Sequence, residues 1–193
     1  MSDETSFIEA AEAGSTEILK DLLKSGVDVN TKDADGKTAI IWASRKGHHQ
    51  AVKLLIENNA DVNLRTVDLW SALMYAVRNG HTETVKILLS CNADINTKTA
   101  DGWTPIIIAT SSGFPGIVKM LIEKGAGINS KDIFGLTPLI WATKNRNMEI
   151  VKLLIETGAN PNEQDNTGKT ALDWANLMGS TDIVNLLQAA SGK

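Results

Sequence analysis

Residues 38–63 read TAIIWASRKGHHQAVKLLIENNADVN. Thr38 places a hydroxyl just before an apolar run, as at a helix N-terminus. Gly47 closes that run, because glycine accepts the left-handed backbone that ends helices. A second run follows with Val52, Leu55 and Ile56 at helical spacing. It stops at Asn59, another residue that tolerates positive φ. An extended stretch then leads into a polar turn like Asp33-Ala34-Asp35-Gly36. One unit is therefore helix, tight turn, helix and projecting loop.

That unit recurs. Asn30, Asn63, Asn96, Asn129 and Asn162 are spaced by 33 residues, as are Ala43, Ala76, Ala109, Ala142 and Ala175. Leu22, Leu55, Leu88, Leu121, Leu154 and Leu187 keep the same interval. KTAIIWA, WSALMYA, WTPIIIA, LTPLIWA and KTALDWA occupy equivalent places, and AVKLLIENNADVN, TVKILLSCNADIN, IVKMLIEKGAGIN and IVKLLIETGANPN follow at a constant offset. Thr38, Ser71, Thr104, Thr137 and Thr170 are the expected caps, with Pro105, Pro138 and Pro115 near helix starts. No such unit buries its apolar stripe alone, so neighbours must stack. The expected fold is all-α: an α-solenoid of helix-turn-helix repeats with projecting β-hairpin loops.

The pattern resembles the ankyrin repeat family, whose signature is roughly D-x-x-G-x-T-P-L-H-x-A, then G-H and V-x-x-L-L-x-x-G-A-D-V-N. The likeness spans nearly the whole chain. It implies one ankyrin-repeat domain over 1–193: an N-terminal cap at 1–30, four full repeats at 31–162 and a C-terminal capping repeat at 163–193. Glu4, Glu9 and Glu12 on the first unit and Gln188 in the last suit repeats that close the core against water. Some positions depart from the family. Its T-P-L-H histidine is replaced by Ile41, Met74, Ile107, Ile140 and Asp173, so contact there should be more apolar. Trp42, Tyr75, Trp141 and Trp174, one position later, are expected to be semi-buried. Leu69 stands where other loops have glycine, which makes the positive-φ turn costly. Arg146 replaces a turn glycine, so its turn is expected to differ slightly. The family is also hydroxylated at the Asn of D-V-N with Leu eight residues upstream, a pattern matched by Leu22/Asn30, Leu55/Asn63 and Leu88/Asn96.

Composition narrows the function. The 193 residues carry 19 Lys and Arg against 23 Asp and Glu, a net charge of -4. A mildly acidic chain makes a poor phosphate-binding surface, so nucleic acid is not an expected partner. Cys91 has no mate, which rules out a disulfide framework and suits a cytoplasmic location. The polar start Met1–Thr5 lacks the basic and apolar regions of a signal peptide, and no apolar run approaches the roughly 18 residues of a membrane span. No P-loop, G-x-G-x-x-G or metal-ligand spacing occurs, so no cofactor, metal site or enzymatic role is expected. His48 and His81 fill the family's G-H turn. Asp33-Ala34-Asp35-Gly36 lacks the distal Glu of a calcium loop and reads as a β-turn. Lys53 with Glu57, Lys119 with Glu123, and Lys152 with Glu156 mark a solvated helix surface.

The resemblance implies binding through loop tips and the exposed side of the first helices, the concave face. The central tips are apolar: Val67, Leu69, Trp70, Trp103, Ile133, Phe134 and Leu136. The flanking ones are polar. Contiguous exposed apolar patches tend to mark interaction sites, and Trp is enriched among binding hot spots. The alternative is that these side chains fold back over neighbouring loops and stiffen the row. Arg45, Arg78 and Lys144 are equivalent first-helix positions, and with Arg146 they form a short basic strip suited to orienting a partner. The expectation is a monomeric, non-enzymatic protein-interaction module. An inhibitor of a partner enzyme and a self-associating scaffold are the alternatives.

Overall fold

Helix boundaries fall at the residues that punctuate the repeat. The computed structural model describes residues 3–192 and contains twelve helices among them, with isolated β-bridges in place of extended strands. The chain divides into two compact units, Met1–Asp94 and Ile95–Lys193.

The first unit holds α1 (Asp3–Ala13), α2 (Thr16–Lys24), α3 (Ala39–Lys46), α4 (His49–Glu57), α5 (Ala72–Arg78) and α6 (Thr82–Ser90). Each odd helix packs on the even helix that follows it. Odd helices also pack on odd, α1 on α3 and α3 on α5, and even on even, α2 on α4 and α4 on α6, which makes two layers. Between them lie Phe7, Leu19, Ile41, Leu55, Met74 and Leu88, all fully buried. The second unit repeats the plan with α7 (Pro105–Ser111), α8 (Pro115–Glu123), α9 (Pro138–Lys144), α10 (Met148–Glu156), α11 (Ala171–Leu177) and α12 (Thr181–Ser191). Here α7, α9 and α11 form one layer and α8, α10 and α12 the other, around Ile107, Leu121, Ile140 and Leu154. The family's histidine position is apolar and buried at Ile41, Met74, Ile107 and Ile140, as expected.

The expected caps sit at the N-cap of every first helix from α3 onward, but the hydroxyl does not always act. Ser71, Thr137 and Thr170 accept from the backbone N–H three residues on. The buried hydroxyls of Thr38 and Thr104 have no hydrogen-bond partner among the described residues. Asp173 restores the exchange in the last repeat. It accepts from both the N–H and the hydroxyl of Thr170, so the pair forms a reciprocal capping box.

One turn expectation needs correcting. Arg146 adopts the same left-handed conformation as the glycines it replaces, at φ 54°, beside 79° at Gly47 and 77° at Gly113. Its guanidinium then reaches the carbonyl of Met178 at 2.6 Å, so the turn is kept and the side chain ties α9 to the end of α11. Leu69 takes φ 64°, left-handed like the glycines of the equivalent turns at 76–78°. The strain is accepted and the loop keeps its shape.

Polar groups join successive repeats within each unit. Asn30 accepts from the N–H of Asp61 and Asn63 from that of Asp94; Asn96 serves Gly127 and Asn129 serves Asn160 in the same way. The His48 and His81 rings bond the carbonyls of Glu12 and Arg45, one repeat back.

Candidate functional site

Five loops project between the second helix of one repeat and the first helix of the next. In each, the residue that opens the turn donates its N–H across it: Asp33 to the carbonyl of Lys37, Thr66 to Trp70, Thr99 to Trp103, Asp132 to Leu136 and Asp165 to Lys169. Neighbouring tips are joined as well. Val67 N–H donates to the Asp35 carbonyl in the first unit, and Ile133 to Asp101 and Asn166 to Phe134 in the second. A Cβ on Gly102 would stand 3.0 Å from the Ile133 nitrogen, so a side chain there would push against the neighbouring tip. The tips are consequently held by main chain.

In three of the five loops the residue that opens the turn has a second task. Asp33 Oδ1 accepts from the N–H groups of Asp35 and Lys37, while its other oxygen accepts the indole N–H of Trp42 at 2.8 Å. Asp132 does the same for Trp141 and Asp165 for Trp174. Thr66 and Thr99 occupy the equivalent place in the other loops, and the nine-residue partners there are Tyr75 and Ile108. One hydroxyl closes the turn, to Trp70 N–H or Trp103 N–H, but has no second acceptor for an indole. Sequence reading passed over these carboxylates as turn formers. The signal was present, because Asp pairs with Trp and Thr with Tyr or Ile within the same chain.

Asp165 carries the clearest electrostatic consequence. Burial alone would raise its pKa, but hydrogen bonds from Thr167, Trp174 and the Lys169 and Thr167 amides outweigh burial and lower it to about 2. Bonds from Lys37 hold Asp35 low, and those from Thr170 hold Asp173 low.

The predicted tip residues separate into three kinds. Val67, Ile133 and Phe134 are openly exposed, at 69%, 52% and 60%, and Leu69 lies at 37%. Trp70 and Trp103 are half-buried. Trp70 packs against Tyr75 and Trp103 against Trp141, each with ring centroids 5.1 Å apart. Leu136 corrects the expectation. It is 7% exposed and belongs to the packing beneath the tip, not to the outward surface.

The basic strip is braced by the semi-buried aromatics. In the first unit Arg45 lies 5.0 Å from the Trp42 ring and 5.8 Å from Tyr75, and Arg78 lies 5.2 Å from Trp70. In the second, Lys144 stands 3.3 Å above Trp174. Trp42, Tyr75, Trp141 and Trp174 are all of intermediate burial, as expected.

Repeats of this length, with this helix pairing and these glycine turns, match the family model for ankyrin repeats (three copies) over residues 7–99, 70–132 and 125–192. The chain belongs to the ankyrin repeat family. Ankyrin repeats serve generally as protein–protein interaction modules and are typically non-enzymatic. No curated protein compared with the chain matches it. No helix among the described residues is long and apolar enough to cross a membrane.

Proposed function

We propose that this ankyrin-repeat protein binds a protein partner through its loop tips and the aromatic–cationic side of its first helices, the concave face of the family. It does so without catalysis, as a monomer in the cytoplasm. The observation that carries the reading is the exposure of Val67, Ile133 and Phe134 on tips whose backbones are already bonded to their neighbours. Fully burying one such side chain stabilises a complex by about 1.5–3 kcal/mol. A pre-bonded loop loses little entropy on docking, so more of that gain reaches the affinity. Half-buried Trp70 and Trp103 contribute the open parts of rings already packed on Tyr75 and Trp141, and Arg45, Arg78 and Lys144 orient the partner.

Residues 1–193 are proposed to act as one domain, since the 33-residue spacing of Asn63 and Asn96 continues through Asp94 and Ile95. The test replaces only exposed tips: Val67→Ser, Ile133→Ser and Phe134→Ser together. Partners captured from a source lysate by the unaltered protein should be depleted at least tenfold by this variant at equal helicity. Undiminished capture would remove the tips from the binding surface.

A further inference from the structure

Six side chains of the first unit form a continuous chain of cation and ring. Lys37 lies 5.0 Å from the Trp42 ring, Arg45 spans Trp42 and Tyr75, Tyr75 packs on Trp70, and Arg78 covers Trp70. The charges on this face are unequally satisfied. Asp33 spends both oxygens on the Trp42 indole and two backbone amides, and Asp35 is paired with Lys37. Arg45 and Arg78 are exposed, yet no carboxylate among the described residues lies within 4.0 Å of either guanidinium. Exposed Asp68 at the next tip is also outside ion-pair reach. A chain of net charge -4 thus presents two unpaired guanidiniums here, both backed by aromatic faces.

We infer that this face takes an extended acidic peptide segment, whose carboxylates pair with Arg45 and Arg78 while the residues between them lie on the Trp70–Tyr75 ring pair. The inference rests on the protein-binding reading above and gives the partner its chemistry. Guanidinium held over a ring keeps its N–H edge free for a carboxylate, and bidentate pairing is the strong form of that contact. Arg45 and Arg78 come from α3 and α5, which pack directly; packed helices lie about 8–10 Å apart. In a polyproline II segment, residues three apart fall on one side with a separation of about 9 Å. Two acidic residues flanking two prolines are therefore spaced like the axes of the two helices that carry Arg45 and Arg78, and aromatic surfaces are suited to the pre-extended prolines. A polynucleotide carries a phosphate on every residue and would set some of them against Asp35 and Asp68, whereas a peptide with two carboxylates places its charge only at the arginines.

The experiment titrates the full chain with the blocked peptide Pro-Glu-Pro-Pro-Glu-Pro, with its Gln-for-Glu counterpart and with an eight-nucleotide oligothymidylate. The indole N–H signals of Trp42 and Trp70 are followed by NMR. The Glu peptide should shift both signals and bind at least tenfold tighter than the Gln peptide. Arg45→Gln with Arg78→Gln should remove that preference, whereas Lys53→Gln on the outer helix α4 should leave it intact. Equal binding of the two peptides overturns the acidic partner but leaves the tip-variant capture result, and with it the protein-binding reading, standing. Unmoved indoles, or tighter binding of the oligonucleotide, would also overturn it.

Discussion

Asp132 shows how one side chain can hold a loop and a helix together. Its carboxylate accepts from the Phe134 and Leu136 amides and from the Trp141 indole while only 6% exposed. Asp132→Ala strands three donors in a dry place, and hydrogen bonds to a charged group are worth about 1.5–3 kcal/mol. Urea unfolding should register a loss of about 3 kcal/mol. Trp141→Phe removes one of those donors, so the double variant should lose less than the sum of the single ones. Leu69 is the opposite case, a residue working against its own backbone. A non-glycine residue in the left-handed region carries about 1 kcal/mol of strain. Leu69→Gly should stabilise the fold by about that much in the same assay.

Among the elements, the helix turns are set by contacts that cross repeats. Gly47 ends α3 at φ 79°, and a Cβ there would stand 2.6 Å from the His81 ring. Gly14 faces His48 in the same way at 2.7 Å. The glycines therefore answer two demands, backbone conformation and room for an imidazole from the next repeat. Gly47→Ala should cost about 2 kcal/mol or more by thermal unfolding, combining strain and displacement of His81. Adding His81→Ala should recover part of that loss, because the steric component vanishes and the strain stays. If the second change recovers nothing, the close approach is not what glycine serves. The sequence located the turn at Gly47, but the histidine partner lies 34 residues away and only packing reveals it.

At the scale of the whole molecule, acid sensitivity follows from carboxylates held below their ordinary values. Asp165, at about 2 in the folded state against an ordinary 3.8, favours folding above pH 4. That contribution is lost as pH falls through about 2. Asp35, Asp173 and Glu163 are lowered too, by Lys37, Thr170 and Lys131 in turn, so they act in the same direction. The thermal midpoint followed by circular dichroism should fall between pH 4 and pH 2. The Asp165→Asn protein should start lower and fall less over that interval; an unchanged slope would mean that Asp165 titrates alike in both states. The 33-residue recurrence alone determined the helix pairs, the turn residues and the apolar character of the Ile41–Met74 and Ile107–Ile140 positions. Those follow from local conformational preference and from the need of each stripe to find a neighbour, and both are written in spacing. Tertiary structure decided which apolar tips face water. Phe134 and Leu136 are two residues apart and equally hydrophobic, yet one stands out at 60% and the other is covered at 7%. It also decided that Arg45 rests on Tyr75 and Lys144 on Trp174, thirty residues along in each case. Exposure and ring stacking depend on what the neighbouring repeat places overhead, and no property of the residue itself carries that information.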